Sequence, residues 1–431
     1  MTQTVHEDQL KNGSIINADA LIVGGGISGI TAAIELAETF HHALLIESQP
    51  SLGGRVAATN QYFPKLCPPT CGLEINLKRI KNSSYIKVLT MAEIQKVEGS
   101  PGAYKATVNI NPRYVNEKCT ACGKCAEACE VSIPNPFNYG IDKTKAIYLP
   151  HLMAYPFRYV IDRNHVNDPA VRKCAEVCGY GAIDFDMKQI QITVNTKAII
   201  WATGWRPYDA NRLDNLGFGK YPDVITNVMM ERIASENGPY GGKIVRLSDG
   251  KEISSIGFVQ CAGSRDENHL PYCSAVCCLA SMKQASYVRA LYPEADIHIF
   301  YIDIRSPGRL EDFYAKAKQD PKLHFHRGKV GSITRNDSNG NLVLAAEDTL
   351  TGSTVRYEVE MAVLAVGMVP NTAVDKPVMN IELDPYGFFA PRQKSGIIGT
   401  GTALRPADVA DSVRDATGAA LKAINVTAGR K

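Results

Sequence analysis

Residues 20–38 read "ALIVGGGISGITAAIELAE": a short apolar run, then Gly24, Gly26 and Gly29 at G-x-G-x-x-G spacing, then apolar positions three and four apart. The first run has the length of a strand and the last the period of a helix, so the stretch is strand, turn and helix. Each glycine has its own task. The first permits the tight turn, the second lets backbone N–H groups approach a pyrophosphate, and the third lets helix and strand pack closely. Ile27 and Ser28 belong to the same turn, where the helix N-terminus faces the negative charge. The following strand, "ALLIES", carries Glu47, 18 residues past Gly29 and able to hydrogen-bond a ribose hydroxyl. The unit is a complete dinucleotide-binding opening of an α/β, Rossmann-type fold.

The composition sets the frame around it. A chain of 431 residues with 45% hydrophobic content buries a large core and forms two or three domains. Its net charge of +3 is small and contains no run of five like charges, so nothing points to nucleic acid or an anionic membrane surface. The N-terminal "MTQTVHEDQL" is polar and acidic, unlike a signal peptide, and no stretch reaches the roughly 18 apolar residues that span a bilayer. The expected location is cytoplasmic, with no direct membrane insertion. Twelve cysteines at close spacing then read as metal ligands before disulfides.

Three later stretches favour FAD over NAD. "PSLGGRV" (50–56) places Gly53, Gly54 and Arg55 where they resemble the second phosphate-side loop of the two-domain flavoprotein disulfide reductases. "AIIWATGWRP" (198–207) ends an apolar strand at Ala202, Thr203 and Gly204, similar to that family's crossing beside the flavin. "SGIIGTGTALRPADVADSVRDATGAALKAI" (395–424) reads as strand, glycine turn at Gly401 and Thr402, and a closing helix near the flavin. Each alone is a turn; their order along one chain points to FAD. The flavin domain is expected over 1–112, 187–250 and 381–431, with a second nucleotide-binding-like domain over 251–380.

Residues 113–186 are not required by that fold and are expected to form a ferredoxin-like domain. They open with "VNEKCTACGKCAEACE", in which Cys119, Cys122, Cys125 and Cys129 follow C-x-x-C-x-x-C-x-x-x-C. In two-cluster ferredoxins the fourth cysteine of such a run serves the other cluster. The second half, "DPAVRKCAEVCGYGAI", keeps Cys174 and Cys178 but has Asp168 and Val171 in place of the first two cysteines. Pseudo-symmetry assigns one 4Fe-4S cluster to Cys119, Cys122, Cys125 and Cys178 and leaves Cys129 and Cys174 over. Three readings stand for the leftover pair: buried structural thiols, which we favour; a cluster completed by ligands such as His165 or Asp168; or a small zinc site. A zinc ribbon for the whole insert fits the spacing less well than iron and sulfur.

After Lys251 the strand "ISSIGFVQ" stands where a pyridine-nucleotide domain would open with a second glycine fingerprint. It runs instead into "CAGSRDENHLPYCSAVCCLASMKQASYVRAL", with Gly263 alone in the turn and Cys277 and Cys278 at the helix start. No NAD(P)H site is expected there. Cys261, Cys273, Cys277 and Cys278 suggest a second 4Fe-4S cluster, with the helix dipole and Arg265 favouring thiolates; a vicinal disulfide is the alternative. Cys67 and Cys71, in "YFPKLCPPTCGLEINLKRI", form a flavin-proximal redox pair, contribute to a cluster, or pack in a rigid Pro-Pro turn. They are the only candidates for a catalytic role beyond the redox groups themselves.

Taken together, the fingerprint at Gly24 to Gly29, Phe63-Pro64 with Cys67 and Cys71, "KAIYLPHLMAYPFRYVID" inside the insert, "CAGSRD" with "PYCSAVCC", and "GTALRPADVADSV" resemble the heterodisulfide reductase A-subunit family. The short chain and half-eroded insert are most similar to the A subunit of the quinone-interacting membrane-bound oxidoreductase (Qmo) complex. The resemblance implies an oxidoreductase subunit with FAD and two 4Fe-4S clusters, a third being open, that works within a multi-subunit complex. It implies as partners a second flavin and iron-sulfur subunit of the family, a membrane haem-b quinone-reactive subunit and adenylylsulfate reductase. Electrons would pass between menaquinone and adenylylsulfate reductase, with bifurcation or confurcation at the flavin open, on the inner face of the cytoplasmic membrane. The A subunit of a soluble heterodisulfide reductase is the alternative, and a non-catalytic zinc-stabilised scaffold is the alternative of another class.

Overall fold

The strand Ile15–Val23 pairs in parallel with Ala43–Ile46 on one side and with Ile190–Trp201 on the other. Leu21 and Ile22 are fully buried, because both faces of this sheet are covered, which is why the sequence shows an unbroken apolar run instead of alternation. The computed structural model describes residues 10–63, 66–349, 351–379, 381–390 and 396–429. The stretch through Gln9, read above as no signal peptide, and Pro64 of the Phe63-Pro64 pair lie outside the described residues.

The first sheet runs Ile86–Leu89, Ala43–Ile46, Ile15–Val23, Ile190–Trp201, Ala103–Ile110, Ala92–Ser100, with Ile397–Gly399 also pairing the end of Ile190–Trp201. That strand of 12 residues serves three partners, since its first part is antiparallel to Ala103–Ile110 and its last three residues are parallel to Ile397–Gly399. The closing helix Val409–Thr427 lies against the helix Ile27–Glu38. Ala416, Ala419, Ala420 and Ala423 are buried on the one and Ala32 and Ala33 on the other, and small side chains let the two backbones approach.

Between Ile110 and Ile190 the chain leaves the sheet to build the insert. Its ladders are short, Ser132–Pro134 with Lys143–Lys145 and Ile147–Tyr148 with Val160–Ile161, and a bridge from Val115 to Ile183 closes its base. A small core of Val115, Ile133, Ile147, Val171, Cys129 and Cys174 holds it.

The second sheet is wholly parallel: Val224–Thr226, Met361–Val366, Ser255–Ala262, Asp296–Tyr301, Leu323–Arg327. The strand Val224–Thr226, within the stretch that the sequence reading grouped with the flavin domain, pairs here with Met361–Val366; three residues are too few to show a period. Residues 263–276 fold back across the carboxyl ends of these strands, the crevice where open α/β sheets bind ligands. The Ser264 and Ser274 hydroxyls lie 3.0 Å apart, Ser274 accepts from the Met368 N–H at 2.9 Å, and the Tyr272 hydroxyl donates to the Met368 carbonyl at 2.8 Å.

A buried ion pair ties the two units. Glu231, on the helix Asn227–Ile233, and Lys283, on the helix Cys277–Leu291, meet at 2.9 Å with side chains 7% and 6% exposed. Glu231 also accepts from Gln284 at 2.7 Å and from the Asn60 N–H at 3.0 Å, while Lys283 donates to the Gln61 carbonyl of the first unit. Removing one partner strands a buried charge, whereas removing both does not. Lys283→Met is therefore expected to lower unfolding stability by about 3–5 kcal/mol. Glu231→Gln with Lys283→Met should lose distinctly less, both read from urea midpoints.

Candidate functional site

A cavity of about 1310 Å³ runs between the two units and under the insert. Its floor is the glycine turn. Gly24 has φ +106°, and a Cβ there would run into the carbonyl of Ala202 on the neighbouring strand, so the fold itself demands glycine. Gly26 differs: a Cβ would meet no protein atom nearer than 3.9 Å, and the residue faces the cavity. What Gly26 keeps clear is space for something other than protein.

Glu47 lines the cavity with its carboxylate anchored, Oε2 accepting from the Gly25 N–H at 2.6 Å and Oε1 from the Gln49 N–H at 2.8 Å. Burial pushes its pKa up, and these hydrogen bonds oppose the rise. The second loop abuts the first, since a Cβ on Gly54 would come within 2.8 Å of the Gly26 Cα. Arg55 next to it donates from Nε to the Trp205 carbonyl at 3.2 Å and from Nη1 to the Tyr139 hydroxyl at 3.1 Å, with its guanidinium 5.5 Å from the Trp205 ring centroid. This arginine thus joins the loop at Gly53 and Gly54, the crossing after Ala202 and the insert. Ile27, Ser28, Ala202, Thr203, Gly204 and Thr402 all line the cavity, and Gly401 packs against Ser28.

The sequence reading assigned no role to several lining residues. Phe137, Tyr139 and His151 come from the insert, and Glu231, Lys283 and Gln284 from the second unit. The Phe137 and His151 rings stack at 5.0 Å. His151 Nε2 lies 3.3 Å from the Leu52 carbonyl, which assigns the proton to Nε2, and Nδ1 is buried with no partner among the described residues. Thr203 Oγ1 is likewise unpartnered, so two buried polar atoms line a cavity shaped by glycine loops. Those features fit a dinucleotide cofactor with polar atoms along its length.

The cysteines fall into groups. Cys119, Cys122, Cys125 and Cys178 lie together: burial, then the neighbouring thiolates, push the Cys125 thiol up to about 12. Backbone N–H groups aim at this group, Ala121 at Cys119 Sγ and Ala182 at Cys178 Sγ, both at 3.4 Å. Cys261, Cys273, Cys277 and Cys278 form a second group, with the Ala275 N–H on Cys273 Sγ at 3.3 Å. Arg265 favours the Cys261 thiolate as the sequence suggested, yet burial outweighs it and raises that thiol to about 11. Arg265 is itself held by Asp303, which Arg305 Nε also approaches at 3.5 Å. Burial, then the neighbouring thiolates, push the Cys277 thiol up, and the residue lines the large cavity. Thiols in such surroundings ionise only when a cationic partner binds them.

Among the described residues no three His, Cys, Asp or Glu side chains converge closely enough to hold a single metal ion. Cys129 and Cys174 interact with one another in a buried core against which Cys119, Cys125 and Cys178 of the first group pack. Cys71 is exposed and Cys67 half-buried beside Tyr62; Tyr62 and Phe63 line the cavity, while the two thiols are outside its lining.

Burial pushes the pKa of His151 down to about 4, so the folded chain holds it neutral where the unfolded chain would protonate it. Its share of stability is present above pH ~6.5 and is lost as pH falls toward 4. His151→Gln is expected to flatten the acid limb of stability against pH in that window.

Residues 22–76 match the family described as NAD(P)-binding Rossmann-like domain. Among solved structures, thioredoxin reductase of T. acidophilum is similar at a TM-score of 0.52 and 15% identity, covering 94% of this chain and 97% of that one. The Lactococcus lactis thioredoxin reductase reaches 0.50 at 13% identity over 96% and 99%. At these identities the likeness concerns the fold, the two-unit Rossmann-type fold of flavoprotein disulfide reductases. One of the iron-sulfur A subunits of CoB--CoM heterodisulfide reductase from Methanopyrus kandleri is 38% identical over 95% of this chain, and the corresponding A subunit from Methanocaldococcus jannaschii is 37% identical over 94%. The chain spans 64% of the length of each, just under two thirds. Over nearly its whole length the chain is thus similar, at 37–38% identity, to the A subunits of heterodisulfide reductases.

Proposed function

We propose that the chain is an electron-transfer oxidoreductase subunit holding FAD in the large cavity and 4Fe-4S clusters on the two cysteine tetrads. The observation that carries the reading is that one cavity is lined both by the glycine turn and by Cys277 of the second tetrad. FAD, when bound, exchanges electrons in pairs with one carrier and singly with clusters. The chain's residues bind and orient it. The turn at Gly26, Ile27 and Ser28 presents a helix N-terminus to a pyrophosphate, Glu47 faces the ribose, and Thr203 and His151 offer their unpartnered atoms. Lys283 and Glu231 set a buried charge pair in the cavity wall beside Cys277. The insert adds Phe137, Tyr139 and His151 to the wall of the cavity. In each tetrad, backbone N–H groups on sulfur lower the cost of the cluster's negative charge.

The relatives are named as subunits of heterodisulfide reductases, and this supports a subunit of a soluble heterodisulfide reductase-type complex. A second reading rests on Asp168 and Val171, which stand where a second cluster's cysteines would be and suit the Qmo branch. In that branch the chain passes electrons between menaquinone and adenylylsulfate reductase, alongside a second flavin subunit and a haem-b membrane subunit. No helix among the described residues is long and apolar enough to cross a membrane, so attachment there would run through partner subunits. Co-purifying chains separate the two readings.

Anaerobically purified protein is expected to contain about eight irons and one FAD per chain, with cluster signals in reduced-state electron paramagnetic resonance. Zinc in place of iron, without flavin, would establish the scaffold alternative instead. Two glycine substitutions test the cavity. Gly26→Ala is expected to leave the Tm of the flavin-free chain unchanged and retain FAD at least about tenfold more weakly, because its Cβ meets cofactor space and not protein. Gly24→Ala should lose stability and flavin together, since its Cβ meets the Ala202 backbone.

A further inference from the structure

Two cysteines of the insert belong to neither tetrad. Cys129 and Cys174 are each 1% exposed, in a core with Val115, Ile133, Ile147 and Val171. Each acts on the other directly, and each thiol donates to a backbone carbonyl, Cys174 to Ala170 at 3.3 Å and Cys129 to Val131 at 3.6 Å. Their places in the chain are symmetric. Cys129 follows Cys125 by four residues and Cys174 precedes Cys178 by four, so the pair bridges the two turns that carry the first tetrad.

The space a second cluster would need is taken. Val171 is fully buried against the pair, and Asp168 caps the short helix Pro169–Lys173 by accepting the Ala170 N–H at 2.9 Å. Neither side chain remains as a ligand. What is left is two thiols in contact, shielded from soluble thiols and disulfides by the core, one turn of chain from the tetrad on either side.

We propose that Cys129 and Cys174 are a redox-active dithiol–disulfide pair that exchanges two electrons with the iron-sulfur centre of the Cys119, Cys122, Cys125 and Cys178 tetrad. The proposal rests on the reading of that tetrad as a cluster site. On oxidation the two S–H bonds break and one Sγ–Sγ bond forms. The two electrons would leave one at a time through the iron-sulfur centre, which takes the first and hands it on to the FAD of the proposed reading before the second follows, and two protons would leave to water past Glu130, an exposed carboxylate whose charge acts on Cys174. Reduction reverses each step. Closure of the bond would also staple the two turns across the small core of the insert.

The test uses the loaded, anaerobically purified chain, poised with redox mediators, quenched into alkylating agent under denaturing conditions, and digested for mass spectrometry. The peptides of Cys129 and Cys174 are expected to be linked and unlabelled at high potential and both labelled at low potential. Their ratio should follow the two-electron slope of about 30 mV per tenfold change. Cys174→Ala should leave Cys129 labelled at every potential with iron content unchanged. Cys122→Ser, a change at an exposed residue, should slow the pair's response to the mediators at least about tenfold by removing the cluster. Labelling of both wild-type thiols at every potential would overturn the pair, as would a second cluster's iron in the insert. A chain without iron in the insert whose disulfide still titrates with dithiothreitol would overturn the electron route and the cluster reading while leaving the pair.

Discussion

The strand Ile190–Trp201 is the constraint on which the rest of the molecule depends. Its hydrogen bonds hold Ile15–Val23 along one edge, while the other edge is divided between the hairpin of Ala92–Ser100 with Ala103–Ile110 and the C-terminal Ile397–Gly399. Three remote parts of the chain are thus brought into one sheet. The strand ends at Trp201, and the carbonyl of the next residue, Ala202, lies so close to Gly24 that no side chain fits between them. The same register sets Ile190 opposite Ile110, so the insert leaves and re-enters the sheet at one point. A segment so anchored reaches across the cavity mouth without disturbing the sheet, and Phe137, Tyr139 and His151 consequently line the cavity.

Burial decides the chemistry of the cysteines. In both tetrads desolvation is the largest influence on the shifted thiols, and neighbouring sulfurs add to it. A thiolate set held this way is costly alone and is stabilised by a cationic centre together with N–H groups aimed at sulfur. Near the second tetrad Arg265 pairs with Asp303, while Arg305 acts first on Cys273 and then on Asp303, so charge compensation there is shared and not the work of Arg265 alone. The loop 263–276 both presents Cys273 and packs over the carboxyl ends of the second sheet, so that the crevice of a nucleotide-binding unit becomes part of the wall around thiols.

The buried pair of Glu231 and Lys283 shows the same economy. Each charge has several partners, and one of them, the loop at Asn60 and Gln61, belongs to the other unit. Two charges that would be expensive in isolation therefore fix how the units meet beside the cavity.

What the sequence by itself determined are features set by short-range geometry. The turn at Gly24 to Gly29 was legible because backbone clearance admits only glycine at defined spacing, and the proximity of Cys119, Cys122 and Cys125 because three-residue spacing curls one loop. Cys178 could be joined to them only through internal pseudo-symmetry. The tertiary structure alone decided what depends on distant segments meeting. It set Val224–Thr226 in the second sheet, brought His151 and Phe137 to the cavity, placed Cys277 in the wall of the cavity that the glycine turn also lines, and paired Glu231 with Lys283. None of these leaves a period or a spacing in the chain, because each is a contact between residues whose separation is fixed by the sheet and not by the backbone between them.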